Sequence, residues 1–234
     1  MEESTPGQQI PFSFNKYEQI DFDLFEAGEN QGVVRYLEEL ADGKVRQNAY
    51  LWGPTGSGKS HLLQATCTAA ARRDLALAYI PLGSGLELSP AMLEDLESLS
   101  LVCLDDIDNI AGDPEWEEAI FHLFNRLRDA QVPFVSAARS SVLGSPLQLA
   151  DLKSRLAWDQ VFHLQTLNDE QALQSLVHRA STRGFDLPEE VGEYLINRVR
   201  RDMHNLFSTL DRLDRASLVA KKKLTIPFVK ELLD

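Results

Sequence analysis

The segment that most constrains the fold is NAYLWGPTGSGKSHLLQATCTAAA, residues 48–71. Ala49–Trp52 is a short apolar run typical of a buried strand, and residues 53–60, GPTGSGKS, match G-x-x-x-x-G-K-[ST] at every fixed position. The apolar residues that follow predict a helix. A strand, a glycine-rich loop and a helix in this order form the context that a phosphate-binding loop requires. The alternative, an ordinary glycine turn before a helix, is the weaker interpretation because the whole context is present.

Such a loop predicts a nucleotide as ligand. Its glycines allow backbone N–H groups to close around phosphates at the start of a helix. We expect Lys59 to neutralise the β- and γ-phosphates and the Ser60 hydroxyl to bind Mg²⁺. The expected cofactors are therefore ADP or ATP together with Mg²⁺. The candidate nucleotide-binding residues here are Gly53, Pro54, Thr55, Gly56, Ser57, Gly58, Lys59, Ser60 and His61.

A pair of acidic residues follows a second strong apolar run. Leu101–Leu104 predicts a buried strand, and Asp105 and Asp106 come directly after it. Two acids after a strand are often a solvated turn or the start of a helix, but downstream of a phosphate loop they favour a metal site. We expect Asp105 to hold the magnesium, directly or through water, and Asp106 to orient an attacking water.

The remaining pattern predicts an α/β fold. Apolar runs predict further strands at Leu77–Leu82, Phe134–Ala138 and Val161–Leu164, and residues 114–129 predict an amphipathic helix. Strands that alternate with helices favour a parallel five-stranded sheet covered on both faces.

The C-terminal part predicts helices only, which would form a small helical lid domain. These helices are Asp169–Arg183, Pro188–Arg200, Met203–Val219 and Pro227–Leu233. The predicted organisation is a flexible tail at 1–15, a nucleotide-binding αβα domain at 16–165 and the lid at 166–234.

Composition restricts the class of protein. The net charge of −13, from 36 acidic and 23 basic residues, is opposite in sign to that of a general nucleic-acid binder. No apolar run is long enough to span a bilayer, and the polar start MEESTPG is unlike a signal peptide. Cys67 and Cys103 lie in apolar surroundings and favour buried thiols over a disulfide. We expect a cytoplasmic protein that neither binds DNA strongly by itself nor enters a membrane.

At this point the sequence resembles the DnaA-related AAA+ family, and within it the Hda group of regulatory inactivators of bacterial replication initiation. The resemblance lies in NAYLWGPTGSGKSHLLQA, LSLVCLDDID, ADLKSRLAW, GFDLPEEVGEYL, TLDRLDRAS and KLTIPFVKELL. It implies an AAA+ αβα domain with a lid of three or four helices, and DnaA as a partner. DnaA initiators carry a DNA-binding domain after the lid, which we do not expect in this chain.

The SRLAW stretch carries the most consequential implied role. In this family the arginine that matches Arg155 acts in trans: it reaches the nucleotide of a neighbouring AAA+ module and stabilises charge on the γ-phosphate. An arginine supplied in this way can raise the rate about 10³–10⁵-fold. Without the resemblance, an ion pair between Arg155 and Asp151 or Asp159 would be the simpler interpretation.

Two positions depart from the family pattern. Ala138 stands at the end of the fourth strand, where DnaA-like proteins usually place a polar or acidic sensor residue. His204 aligns with the usual sensor arginine of the lid, and histidine is shorter and mostly neutral at pH 7. Both departures predict weak intrinsic hydrolysis and a chain that works as a nucleotide-bound switch.

The N-terminal segment GQQIPFSF, residues 7–14, places three large apolar side chains at alternate positions. The Hda group binds the DNA polymerase sliding clamp, its β subunit, through a short peptide with a glutamine followed by spaced apolar residues. The matching residues are Gln9, Ile10, Phe12 and Phe14, and Gln8 offers a second register. The alternative is a segment that packs on the protein's own nucleotide domain.

The implied function is a clamp-tethered adaptor that stimulates ATP hydrolysis on DnaA and so limits re-initiation, with nucleoid association through the clamp. One rival is an autonomous AAA+ ATPase of the helicase-loader type, and another is a P-loop nucleotide kinase. The sequence leaves open the oligomeric state, including a homodimer or a higher oligomer.

Overall fold

A computed structural model of the chain describes residues 20–83, 88–199, 203–220 and 222–233. Its centre is a five-stranded sheet with the strand order β2-β3-β4-β1-β5, in which all paired neighbours run parallel. This sheet and the helical lid confirm the predicted fold class. The strands are β1 Ala49–Trp52, β2 Leu77–Pro81, β3 Leu101–Asp105, β4 Phe134–Ala138 and β5 Gln160–His163.

The described residues form the helices α1 Gln31–Ala41, α2 Lys59–Ala71, α3 Pro114–Asp129, α4 Ala150–Leu156, α5 Asp169–Thr182, α6 Glu189–Arg198, α7 Met203–Ala220 and α8 Ile226–Leu233. The sequence prediction omitted α1 and α4. It also placed β5 one residue too late, because β5 starts where the Gln160 N–H donates to the Asn48 carbonyl.

The central strands β1, β3 and β4 are almost completely buried because both faces of the sheet are covered there, whereas the edge strand β5 is mostly exposed. On one face, Tyr50 and Leu104 belong to a core with α3 and α4; on the other, their neighbours Leu51 and Cys103 belong to a core with α1 and α2. The two cysteines are buried and free, as expected.

The lid has a core of its own, built from α5 to α8, in which Leu176, Leu195, Leu210 and Val229 are completely buried. Helix α5 begins with a capping box: the Asn168 side chain accepts from the Gln171 N–H, and the Gln171 side chain accepts from the Asn168 N–H. This reciprocal cap fixes the point at which the lid starts.

The strand register brings the functional loops together. Trp52 pairs with Ala138, and Leu104 pairs with Ser136. The loops that leave β1, β3 and β4 therefore open at the same carboxyl edge of the sheet, which is where open α/β sheets bind ligands. In the described part of the chain, no helix is both long and apolar enough to cross a membrane.

Candidate nucleotide-binding cleft and an outward arginine

A cleft of about 880 Å³ lies between the carboxyl edge of the sheet, the segment at residues 20–30 and the lid. The phosphate loop forms its floor, the N-terminal segment forms one wall and helices α5 and α7 form another. Its lining includes Ile20, Leu24, Phe25, Thr55, Gly56, Ser57, Gly58, Lys59, Ser60, His61, Asp106, Arg139, Leu167, Arg179 and Phe207.

Glycine is required at two points of the loop. Gly58 has a φ of +91°, and a Cβ atom there would lie 2.4 Å from the Phe25 ring. A Cβ atom on Gly53 would lie 2.5 Å from the Leu164 carbonyl oxygen. Helix α2 begins directly afterwards at Lys59, so its unpaired first-turn N–H groups are available to an anion.

Lys59 is only 6% exposed, and its ammonium group is held inside the loop. The Nζ atom donates to the carbonyl oxygens of Gly53 at 2.8 Å and Pro54 at 2.9 Å. Burial lowers the pKa of Lys59, while Asp106 and Asp105 act in the opposite direction. A buried cation beside a row of N–H groups is well suited to hold phosphate.

Asp105 is buried, and both of its carboxylate oxygens already have partners. Oδ2 accepts from the Tyr79 hydroxyl at 2.8 Å, and Oδ1 accepts from the Asp106 N–H at 3.0 Å. Burial, reinforced by Asp105, raises the pKa of Tyr79, which keeps the hydroxyl protonated as a donor. Mg²⁺ usually retains several waters and takes few protein ligands. The donor set therefore fits an ion bound by Ser60 and reached by Asp105 through water.

Asp106 adopts the left-handed conformation, with a φ of +58°. Its half-buried carboxyl group lines the cleft. Burial and the neighbouring Asp105 raise the pKa of Asp106. The site thus places in the cleft a carboxylate that favours a cation or a proton as its neighbour.

One wall of the cleft is apolar and suits a planar base. Ile20, Leu24, Phe25 and Leu167 line it. The His61 ring is 5.4 Å from the Phe25 ring, and its Nε2 atom lies 2.9 Å from the Asp21 carbonyl oxygen. His61 therefore fastens the wall to helix α2, in addition to lining the cleft.

Arg139 is a cleft residue that was missed as a site candidate from the sequence. Ala138 itself is buried in the core, and the next residue, Arg139, turns into the cleft. Its Nη2 atom donates to Asn109 Oδ1 at 3.1 Å, and its Nε atom lies 3.7 Å from Asp108 Oδ2. Its position directly after a strand that ends beside the phosphate loop was the signal that could have identified it.

Arg179 is a second missed cation, contributed by the lid. Its guanidinium carbon lies 4.4 Å from the centre of the Phe207 ring, and Nη2 lies 3.6 Å from Asp211 Oδ2. No local motif marks this position, because only the packing of α5 against α7 brings it to the cleft. His204 lies in α7 between the cleft-lining Met203 and Asn205, but its side chain is outside what the structure describes.

Arg155 is absent from the lining of the cleft. It lies at the end of α4, shortly before β5, whose first residue pairs with the first residue of β1. That is the amino edge of the sheet, opposite the edge where the phosphate loop opens. Its guanidinium carbon lies 4.4 Å from the centre of the Trp158 ring.

The ion pair between Arg155 and a neighbouring acid, considered above as an alternative, does not form. Asp159 instead accepts from the Asn48 N–H at 3.1 Å, and Asp151 is exposed. Within the described residues, Arg155 makes no ion pair with any carboxylate. The proposed clamp-binding residues Gln9, Ile10, Phe12 and Phe14 lie outside the described part of the chain.

Comparison with known proteins finds two similarities: a family model matches the lid region, and solved structures match the fold of most of the chain. The family model described as the lid domain of Hda matches residues 169–233. Domain III of DnaA from Thermotoga maritima is similar with a TM-score of 0.78 at 21% identity, over 92% of this chain and 95% of that chain.

Two further structures share the fold. AMPPCP-bound DnaA from Aquifex aeolicus has a TM-score of 0.67 at 20% identity, over 83% of this chain and 67% of that chain. The RuvB Holliday junction branch migration motor from Thermotoga maritima has a TM-score of 0.64 at 17% identity, over 86% of this chain and 67% of that chain. The lid region thus matches the Hda lid model, and the chain as a whole shares the fold of domain III of DnaA.

Proposed function

We propose that this protein is a nucleotide-bound adaptor that limits replication initiation by stimulating ATP hydrolysis on the DnaA initiator. In this proposal the tail tethers the chain to the DNA-loaded sliding clamp, and Arg155 reaches the ATP held by DnaA. Hydrolysis would then leave DnaA in its ADP form. The clamp would provide the contact with DNA, so the adaptor, with a net charge of −13, would not have to bind DNA itself.

The observation that carries the proposal is the separation of Arg155 from the chain's own cleft. An arginine that served this chain's nucleotide would line the cleft, as Arg139 and Arg179 do. Arg155 lies at the opposite edge of the sheet without a carboxylate partner among the described residues. A guanidinium group in that position is suited to a nucleotide on another subunit.

The chain's own cleft is proposed to hold ADP or ATP as a structural ligand. The first-turn N–H groups of α2 would bind the phosphates, Lys59 would neutralise them, and the apolar wall around Phe25 would cover the base. When bound, Mg²⁺ neutralises charge on the phosphate oxygens. Ala138 is buried in the core and offers no polar group to a reacting water, which supports weak turnover and a regulatory use of the nucleotide.

The tail proposal rests on sequence and on binding energetics. Burying three apolar side chains at ~1.5–3 kcal/mol each gives a gross gain of several kcal/mol. The cost of ordering the peptide reduces this gain to an affinity on the order of micromolar. Replacing Gln9, Phe12 and Phe14 by alanine should abolish clamp binding and leave the melting temperature unchanged. Undiminished clamp binding by that variant would contradict the tether.

Two rival functions are separated by simple assays. A helicase-loader type of ATPase would hydrolyse its own ATP rapidly and bind single-stranded DNA. A nucleotide kinase would transfer phosphate to nucleoside monophosphates, and would leave the Hda-type lid unexplained. Under our proposal the isolated chain shows slow ATP turnover and no phosphate transfer to any nucleoside monophosphate.

The test of the main proposal is single-turnover hydrolysis of labelled ATP pre-bound to DnaA, with DNA-loaded clamp present. Arg155→Ala should lower the stimulated rate by about 10³-fold or more. Arg155→Lys should fail nearly as badly, because an ammonium group does not reproduce the planar guanidinium fork. The matched control is Arg35→Ala on α1, an exposed arginine, which should retain full stimulation.

Arg155→Ala should also keep its own nucleotide, since Arg155 does not line the cleft, and should keep clamp binding and stability. If this variant stimulates hydrolysis as well as the unmodified protein does, the trans-arginine mechanism is wrong. A scaffold that acts on DnaA by contact alone would then be the surviving interpretation.

A further inference from the structure

Trp158 is a large aromatic side chain that remains 57% exposed. Two arginines from different helices lie over its ring: the guanidinium carbon of Arg155 is 4.4 Å from the ring centre, and that of Arg128 is 5.4 Å away. Phe121 on α3 extends the same surface, at 6.0 Å from Arg155. Core packing does not explain why an exposed tryptophan has two arginine side chains over its ring.

The backbone fixes where this ring lies. Leu152 and Leu156 are buried and anchor α4 in the core beneath α3. The Trp158 N–H then donates to the Arg155 carbonyl at 3.1 Å, and the next residue, Asp159, accepts from the Asn48 N–H. The tryptophan is thus held between the end of a packed helix and the start of β5.

The two arginines differ in how their charge is balanced. Arg128 donates from Nε and Nη2 to Asp129 Oδ1, at 3.4 and 3.3 Å. Arg155 has no such carboxylate within the described residues, and its guanidinium group lies over the Trp158 ring with the Phe121 ring farther away. Stacking occupies the flat face of a guanidinium group and leaves its in-plane N–H donors available. A carboxylate would have occupied those donors and neutralised the charge.

We propose that Trp158 is a positioning residue that holds the Arg155 guanidinium stacked and outward, with its N–H donors free for a phosphate of a partner. This inference rests on the proposed trans role of Arg155. Arginine has a flexible side chain, so a preset orientation removes part of the cost of bringing it into the reacting geometry once the partner has docked. Trp158 itself touches no reacting atom in this account.

The stack can be tested on the protein alone with two substitutions. Trp158→Phe keeps an aromatic face, whereas Trp158→Leu keeps an apolar side chain without one. The Arg155 Nε–H proton, assigned by its loss in Arg155→Lys, should show an upfield ring-current shift in the unmodified protein and in Trp158→Phe. The shift should disappear in Trp158→Leu, while the melting temperature stays within experimental error. A spectrum with no ring-current shift in the unmodified protein would overturn the stack.

The consequence is tested by the single-turnover assay, measured as a function of the concentration of this protein. Trp158→Leu should lower the maximum stimulated rate about two- to fivefold, the size expected for a solvent-exposed cation–π contact. Trp158→Phe should restore most of the rate. An unchanged maximum rate in Trp158→Leu overturns the positioning role. If only the half-saturating concentration rises, Trp158 is a docking contact instead. An equal loss in both variants overturns the positioning role as well.

The two proposals fail in different ways. If Arg155→Ala still stimulates DnaA, the proposed function is wrong, whatever Trp158 does. If Arg155→Ala is inactive and Trp158→Leu is fully active, the trans arginine stands and the positioning role is wrong.

Discussion

Lys59 and Arg155 are both cations with a proposed phosphate partner, but the fold treats them in opposite ways. Lys59 is 6% exposed and donates to two loop carbonyls, with Asp105 and Asp106 nearby. Arg155 is half-buried, lies on an aromatic ring, and meets no carboxylate among the described residues. The first is enclosed within the chain's own cleft, whereas the second is presented on the surface.

The contrast follows from what each site has to bind. A resident ligand favours burial, because charges interact more strongly where water is excluded. A ligand carried by another protein requires a charge that stays hydrated until the two proteins meet. An exposed ion pair would hold such an arginine weakly and occupy its donors, whereas an aromatic ring holds it without neutralising it.

The largest effect that separates the two sites is expected from Lys59→Ala. Losing a buried charge-assisted contact to phosphate should weaken nucleotide binding by roughly 100-fold. The rise in melting temperature on adding nucleotide should shrink accordingly, because a ligand that binds only the native state stabilises it by mass action. Titration calorimetry and thermal melts measure both quantities.

The exposed Lys44, which pairs with Asp42 on the surface, provides the control for this experiment. Lys44→Ala should leave the nucleotide affinity unchanged. Equal affinity in Lys59→Ala and the unmodified protein would contradict the assignment of the phosphate loop.

An intermediate effect, confined to the Arg155 side of the molecule, is expected from Glu117→Ala. Glu117 is a buried carboxylate on α3 that accepts from the N–H groups of Gly112, Gln148 and Leu149, and so holds the chain that leads into α4. Its removal leaves these donors without an acceptor, which should cost roughly 2 kcal/mol of unfolding free energy. Denaturant unfolding measures this loss.

The neighbouring Glu118 is exposed on the same helix, so Glu118→Ala is the matched control and should change stability little. Nucleotide affinity should be the same in both variants, because Glu117 lies outside the cleft. A large loss of nucleotide binding in Glu117→Ala would show that the two sites are not independent.

The smallest effect is expected within the cleft, from Asp106→Asn. The pKa of Asp106 is raised by burial and by Asp105, so its ionised form is less favourable in the folded than in the unfolded chain. The substitution should therefore modestly raise the melting temperature of the nucleotide-free protein at neutral pH. The gain should vanish below about pH 4, where the carboxyl group is protonated in both states.

Asp95→Asn is the control, because Asp95 is exposed and has nearly the same left-handed backbone, with a φ of +59°. Asparagine tolerates this conformation as well as aspartate does. A rise in melting temperature shared by the two variants would therefore come from the backbone. Only a rise specific to Asp106→Asn would support electrostatic repulsion in the cleft.

Much of the architecture could be predicted from local patterns. GPTGSGKS between an apolar strand and a helix predicted the loop, and Phe134–Ala138 and Pro114–Asp129 were predicted with the bounds observed. These features depend on side-chain spacing along a few consecutive residues. Helix α1 was missed, although Val33, Leu37 and Leu40 lie at helical spacing on its buried side.

The sequence by itself determined the alternation of strands and helices, the glycine-rich loop and the two acids at the end of β3, because each is a pattern of neighbouring residues. Only the tertiary structure decided which distant side chains meet. It placed Arg139 and Arg179 at the same cleft and paired Asp159 with the distant Asn48 backbone, so that Asp159 does not form an ion pair with Arg155. These contacts depend on strand order and helix packing, since the partner of a charged side chain is the nearest group in space and not the nearest along the chain.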